Sequence, residues 1–170
     1  MTIREILQFP DERLHTVAKP VKHFDAALRR LVQDMAETMY AAPGIGLAAT
    51  QIDVHQEVIT IDISETRDQL VVLVNPEIIE RDGKQDCEEG CLSVPGVYEK
   101  VRRAQKVKVR ARDTTGSTFV LEAEGLLAVC VQHEIDHLLG KVFVEYLSRL
   151  KQSRLRSRIA KREKLRSEVA

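Results

Sequence analysis

Cysteine is scarce in this chain. Cys87, Cys91 and Cys130 are its three thiols in 170 residues, an odd number too small for a disulfide framework. Metal binding, catalysis and plain burial remain as their uses. No apolar run approaches the roughly 20 residues that a helical membrane span needs. The first ten residues carry Arg4 and Glu5 and lack the apolar block of a secretory signal, so a cytoplasmic location is expected. No internal repeat or low-complexity linker breaks the chain. With 44% hydrophobic and 31% charged residues, disorder along the whole length is excluded. The length suits one domain with its own core.

Net charge is also missing, because 26 basic residues balance 26 acidic ones. The balance is uneven in space. Between Ser148 and Ala170 nine basic residues stand against two acidic ones, a net of +7, which leaves −7 for Met1 to Leu147. The chain therefore divides into an acidic body, residues 1–147, and a basic helical tail, residues 148–170. A tail of that charge calls for an anionic partner.

Asp25 is a suitable N-cap, and Leu28, Leu31, Val32, Met35 and Met39 recur at helical spacing, so a helix is predicted over residues 25–41 and ended by Pro43-Gly44. Residues 44–51 read as a small-residue loop or turn. Strands follow at 58–63 and 70–74, rich in β-branched residues. Asn75-Pro76 and Asp82-Gly83 read as turns. Residues 107–112 alternate apolar and basic side chains, the period of a half-buried strand. With residues 118–123 they predict a hairpin around Thr114–Ser117. A strongly apolar helix is expected from Gly125 to Leu139, stopped by Gly140, and a last helix from about Leu147. Strands grouped between flanking helices give the α+β class.

His133-Glu134-Ile135-Asp136-His137 lies on the apolar helix. At ~3.6 residues per turn, His133 and His137 share one face and can reach one metal ion. Glu134, beside the first ligand, is placed to move protons. The bland alternative is a pair of surface histidines on a polar helix. Leu126, Leu127, Ala128, Val129, Cys130, Val131 and Ile135 argue against it by burying the helix, and buried polar groups need partners. A catalytic site also needs a third protein ligand and one open position. His15, His23 and His55 sit in ordinary polar contexts. Cys91 is the better candidate, because Glu88–Gly96 reads as a loop or bulge, bracketed by Gly90 and by Pro95-Gly96, that could present a thiolate. Ser93 reads as a turn residue, and Cys87 and Cys130 as buried thiols. Asp136 points away from both histidines and is expected to pair with Arg102 or Arg103.

Three segments, Gly44–Gln51, Glu89–Ser93 and Gln132–His137, resemble in order and spacing the signature motifs of bacterial peptide deformylases, and the resemblance runs over essentially the whole chain. It implies an α+β fold with antiparallel or mixed sheets around a central metal-binding helix and a C-terminal helix. It implies hydrolysis of the formyl group from the N-terminal formylmethionine of new polypeptides, with formate as product. Carried over by position, Cys91, His133 and His137 hold the metal, with water in the fourth place. Glu134 is general base and then general acid. Gln51 and the backbone N–H of Leu92 hold the formyl oxygen. The backbone of Gly46 pairs with the substrate chain. Ile45, Glu89, Leu126, Val129 and Cys130 line the methionine pocket. The family's usual metal is Fe²⁺, with Zn²⁺, Ni²⁺ or Co²⁺ as substitutes.

The implied partners are formylmethionyl nascent peptides and, through the basic tail, the ribosome, whose RNA would bind clustered Lys and Arg in a salt-dependent way. A monomer with no membrane partner is expected. Two other readings compete. A zinc metallopeptidase would need a third His or Glu ligand in place of Cys91. A non-enzymatic ribosome-binding protein would close its metal site with a fourth protein ligand and leave Glu134 and Gln51 without a purpose.

Overall fold

The computed structural model describes residues 2–170. Helix α1 spans Ala26–Ala41, and Asp25 caps it as expected, its side chain accepting from the Leu28 N–H. A short strand β1, Gly46–Ala48, runs into a single 3-10 turn, Ala49–Ile52. Strands β2 (Val58–Ile61), β3 (Val71–Asp82), β4 (Gln85–Cys91), β5 (Val94–Arg103), β6 (Lys106–Arg112) and β7 (Thr118–Glu124) follow. Helix α2 is Gly125–Leu138, and α3 is Arg149–Val169 with Ser148 as its N-cap.

Five strands form one sheet in the order β1-β2-β3-β6-β7, and β4 with β5 forms a separate hairpin. Every strand pair is antiparallel. Strand β2 shows why the sheet lies between helices. All four of its residues are buried, and alternation sends them to opposite faces. Val58 packs with Met35, Met39 and Leu47 in the core under α1, whereas Ile59 and Ile61 pack with Leu73, Val109, Ala128 and Val131 in the core under α2. A third core joins the hairpin residues Val94, Val97 and Val101 to Phe9, Phe143 and Leu155 of α3. Helix α2 is thereby enclosed, with the five-stranded sheet on one side and the hairpin on the other.

Three local expectations need correction. Residues 44–51 are not simply a loop, since Gly46–Ala48 pair with Ile59–Ile61. Strand β3 does not stop at residue 74 but continues to Asp82. Asn75-Pro76 lies within it as an irregularity, with Asn75 at φ +50 and the register shifting between Val74 and Glu77. The Asn75 amide accepts from the Val21 N–H (2.7 Å) and donates to the Val21 carbonyl (2.9 Å), so its turn chemistry serves an inserted kink. Residues 88–96 form the end of a hairpin, with a register shift between Glu89 and Cys91.

Candidate metal centre

The histidines on α2 face the hairpin. The Nε2 atoms of His133 and His137 stand 3.3 Å apart, and the Cys91 sulfur lies 3.3 Å from the His137 Nε2. All three ligand atoms lie within 4.8 Å of one another, and among the described residues no fourth protein donor joins the group. The fit to a metal ion can be tested by distance. Two imidazole nitrogens each ~2.0–2.1 Å from a tetrahedral ion stand roughly 3.3 Å apart, which is the spacing found. The donor set is also right for a borderline-soft divalent metal. The group has the three-ligand, open form of a catalytic site rather than the closed form of a structural one.

Each ligand is oriented from behind. His133 Nδ1 donates to Glu89 Oε1 at 2.7 Å, which leaves the Nε2 lone pair facing Cys91 and His137. Glu89 is buried on β4 and accepts two hydrogen bonds from the Arg103 guanidinium, at 2.8 and 2.9 Å. Burial alone would raise the Glu89 carboxyl, but these bonds from Arg103 and His133 outweigh it and hold the group below its ordinary value. Arg103 reaches on to Asp136 at 2.5 Å and lies over the Tyr146 ring, whose hydroxyl donates to Asp136 at 2.8 Å. The expected partner of Asp136 is therefore Arg103, whereas Arg102 pairs with Asp86. His137 is fully enclosed, and burial, together with the charges of His133 and Arg103, holds its imidazole well below the ordinary value, in the neutral form that ligates metals.

Gln51 is 1% exposed. Its Oε1 accepts from the Ala48 N–H at 2.9 Å, which fixes the amide so that Nε2 points toward Cys91 Sγ (3.6 Å) and Ser93 Oγ (3.1 Å). Ser93 is thus more than a turn residue. It is fully buried, its hydroxyl accepts from Gln51, and its backbone N–H donates to the Cys91 sulfur at 3.4 Å. Its place two residues from Cys91 was the one available signal. Cys130 is buried as expected, with its thiol pushed up to about 12 by burial and the nearby Glu134, but Cys87 is only half-buried.

Glu134 is 5% exposed, and among the described residues its Oε2 finds no hydrogen-bond partner. Burial pushes its carboxyl up to about 7. A buried carboxylate at such a value suits a group that takes up and releases protons near neutrality. It borders a cleft of about 450 Å³. Ile45, Gly46, Glu89, Leu126, Val129 and Cys130 all line this cleft, together with Gln51, Cys91, Leu92, His133 and Glu134. The structure therefore brings together every residue singled out for the site except that His137 sits behind the wall. Glu89 reaches the cleft with its carboxylate already engaged. A Cβ on Gly46 would strike the Glu134 carboxylate, so a larger residue there would displace the Glu134 side chain from its present position.

Comparison with known proteins agrees with this arrangement. Residues 3–153 match the profile of the family described as polypeptide deformylase. The chain is 61% identical over 164 residues to a peptide deformylase of Chromobacterium violaceum, covering 96% of this chain and 98% of that one. It is 58% identical over 164 residues to that of Neisseria gonorrhoeae, with the same coverage. The crystal structure of a peptide deformylase from Legionella pneumophila superposes with a TM-score of 0.92 at 51% identity, covering 98% of each chain. That from Ehrlichia chaffeensis in complex with actinonin gives 0.92 at 38% identity, covering 96% of this chain and 99% of that one.

Proposed function

The chain belongs to the polypeptide deformylase family, and from that premise we propose how its residues divide the work of removing the formyl group from N-terminal formylmethionine. The family activity is that of a metal-dependent hydrolase. The ion would be held by Cys91 Sγ and by the Nε2 atoms of His133 and His137. The chemistry it supplies is a water activated near neutral pH and a polarised formyl carbonyl.

Glu134 takes the proton of the attacking water and delivers it to the departing amine. Its unpartnered Oε2 at the cleft is the single observation that carries this role. Gln51, locked by Ala48, points its Nε2 donor at the reacting centre, and the Leu92 N–H in the hairpin turn is the second donor for the developing oxyanion. Strand β1 is an edge strand, and we assign the backbone of Gly46 to pairing with the substrate chain. The methionine side chain enters among Ile45, Leu126, Val129 and Cys130, with the aliphatic part of Glu89 behind them. The resident ion is proposed to be Fe²⁺, with Zn²⁺, Ni²⁺ or Co²⁺ able to replace it, since thiolate and imidazole accept all four.

Formate release from formyl-Met-Ala-Ser, with the metal assayed in the same anaerobic sample, tests the whole assignment. Rapid release with one iron per chain, lost on exposure to air, is the expected result. No release from metal-loaded protein would sink it.

No described helix is long and apolar enough to cross a membrane. We propose a cytoplasmic monomer, a catalytic domain over residues 1–147, and docking of the 148–170 tail on ribosomal RNA. The outward residues Arg149, Arg154, Lys161 and Lys164 of α3 supply charge for this contact. Co-sedimentation with ribosomes is expected to weaken steeply as salt rises, and replacing these four residues by alanine should abolish it. Sedimentation unaffected by either change would reject docking.

A further inference from the structure

The face by which α3 meets the body is a stripe at alternating spacings of three and four, namely Gln152, Leu155, Ile159, Arg162 and Arg166. Its first half behaves as a core-facing stripe should, with Leu155 buried and Gln152 and Ile159 half-buried. The second half keeps the geometry and changes the chemistry. Arg162 and Arg166 continue on the same side, joined by Arg158, and the three line a small cavity of about 80 Å³ between α3 and the hairpin. Phe9, Val94 and Val97 contribute apolar wall, and Glu163 is its one carboxylate. The ion pairs that α3 makes run elsewhere, from Lys151 to Glu99 and from Lys164 to Glu168. Like charges at i, i+4 disfavour a helix by a small amount, so three arginines along one side, exposed yet bordering the cavity, are not explained by helix stability. They also lie beyond the residues 3–153 shared with the family profile.

Their position relative to the cleft is specific. Val94, Pro95 and Val97 border both the small cavity and the catalytic cleft, and Gly96 between them lines the cleft. The Arg162 guanidinium stands 3.7 Å from where a Cβ on Gly96 would be. It therefore sits at the hairpin tip, beside residues that line the cleft.

We propose that Arg162, flanked by Arg158 and Arg166, is a subsite for the substrate chain beyond the methionine, and that it takes a carboxylate carried by an Asp or Glu a few residues further on. A guanidinium fork matches a carboxylate in two-point geometry, and the apolar wall beside it accommodates the methylenes that carry the acid. The inference rests on the substrate orientation proposed above.

The test uses C-terminally amidated formyl-Met peptides in which a single Asp, or Asn as its neutral counterpart, is moved through the third to sixth positions. At low salt one placement of Asp is expected to lower KM roughly 2- to 5-fold relative to Asn, the scale of an exposed ion pair, and the advantage should fade in about 0.5 M salt. In the Arg162→Ala/Arg166→Ala double variant the advantage should vanish, while turnover of amidated formyl-Met-Ala-Ser stays unchanged. Equal KM for Asp and Asn at every placement in the parent protein would overturn the subsite, and so would an advantage that survives in the double variant. If the double variant loses ribosome binding while the Asp series is flat, the arginines serve RNA and the proposal fails. Formate release from the neutral peptide reports separately on the cleft, so its loss would indict the catalytic reading rather than the subsite.

Discussion

The Glu134→Ala variant is expected to release formate about 10²- to 10⁴-fold more slowly than the parent, the usual contribution of a positioned general acid–base group, while retaining its metal. Retention follows from the geometry, because Glu134 contributes no atom to the ligand group of Cys91, His133 and His137. The variant should also fold at least as well. Glu134 is buried with one carboxylate oxygen unpartnered, a burden of about 1–3 kcal/mol. Truncation relieves it at the cost of one methylene, about 0.8 kcal/mol, beside a cleft that is already open. A residue that stabilises nothing and ligates nothing, yet is indispensable for turnover, can only serve the reaction. Formate kinetics, metal content and the thermal midpoint measured on one preparation decide the matter. Loss of metal together with activity would make Glu134 a structural support and remove its catalytic role. A variant that kept near-parent turnover would do the same.

How far the sequence revealed this centre depends on the type of signal. The i, i+4 histidines were legible because one helical turn alone brings them together. Helix α1 was legible because Asp25 and the Leu28–Met39 periodicity are local properties of the chain. Cys91 was recognisable as a candidate from its glycine and proline neighbours, but its arrival within 3.3 Å of His137 depends on the β4–β5 hairpin closing over α2, which no local pattern encodes. Strand β1 was missed for a related reason. Three small or apolar residues, the first of them a glycine, carry almost no strand propensity, and they become a strand only because β2 offers them an edge. Asn75-Pro76 carries true turn chemistry, yet the sheet absorbs it as a kink tied to Val21. The chain of polar contacts from His133 through Glu89 and Arg103 to Asp136 and Tyr146 joins four separate segments. Only the Asp136 step of it could be anticipated, from an aspartate turned away from both histidines with Arg102 and Arg103 as its candidate partners, of which the structure selects Arg103.

That chain of contacts leads to the second large effect. Replacing Arg103 by methionine leaves the Glu89 and Asp136 carboxylates without their shared cation in a site where the Arg103 and Glu89 side chains are only 5% and 3% exposed. Breaking a buried pair on one side costs about 3–5 kcal/mol, and for a chain of this size each kcal/mol moves the midpoint by about 2–4 °C, so the melting temperature should fall by roughly 6–20 °C. Metal affinity should fall as well, by about 10- to 100-fold in chelator competition, because the carboxylate that orients His133 loses its anchor. Two further variants separate folding from metal binding. Arg103→Lys keeps the charge but cannot form the two-point contact with Glu89 while reaching Asp136, so it should recover part of the stability and less of the affinity. Arg103→Met combined with Glu89→Gln removes one stranded charge yet leaves an amide oxygen to accept from His133 Nδ1, so it should regain stability over Arg103→Met alone. Its metal affinity should stay below the parent's, because a neutral acceptor makes the imidazole a weaker donor of electrons than a carboxylate does. If all three variants bind metal as the parent does, Arg103 is a strut between the hairpin and α2 and has no part in tuning the centre.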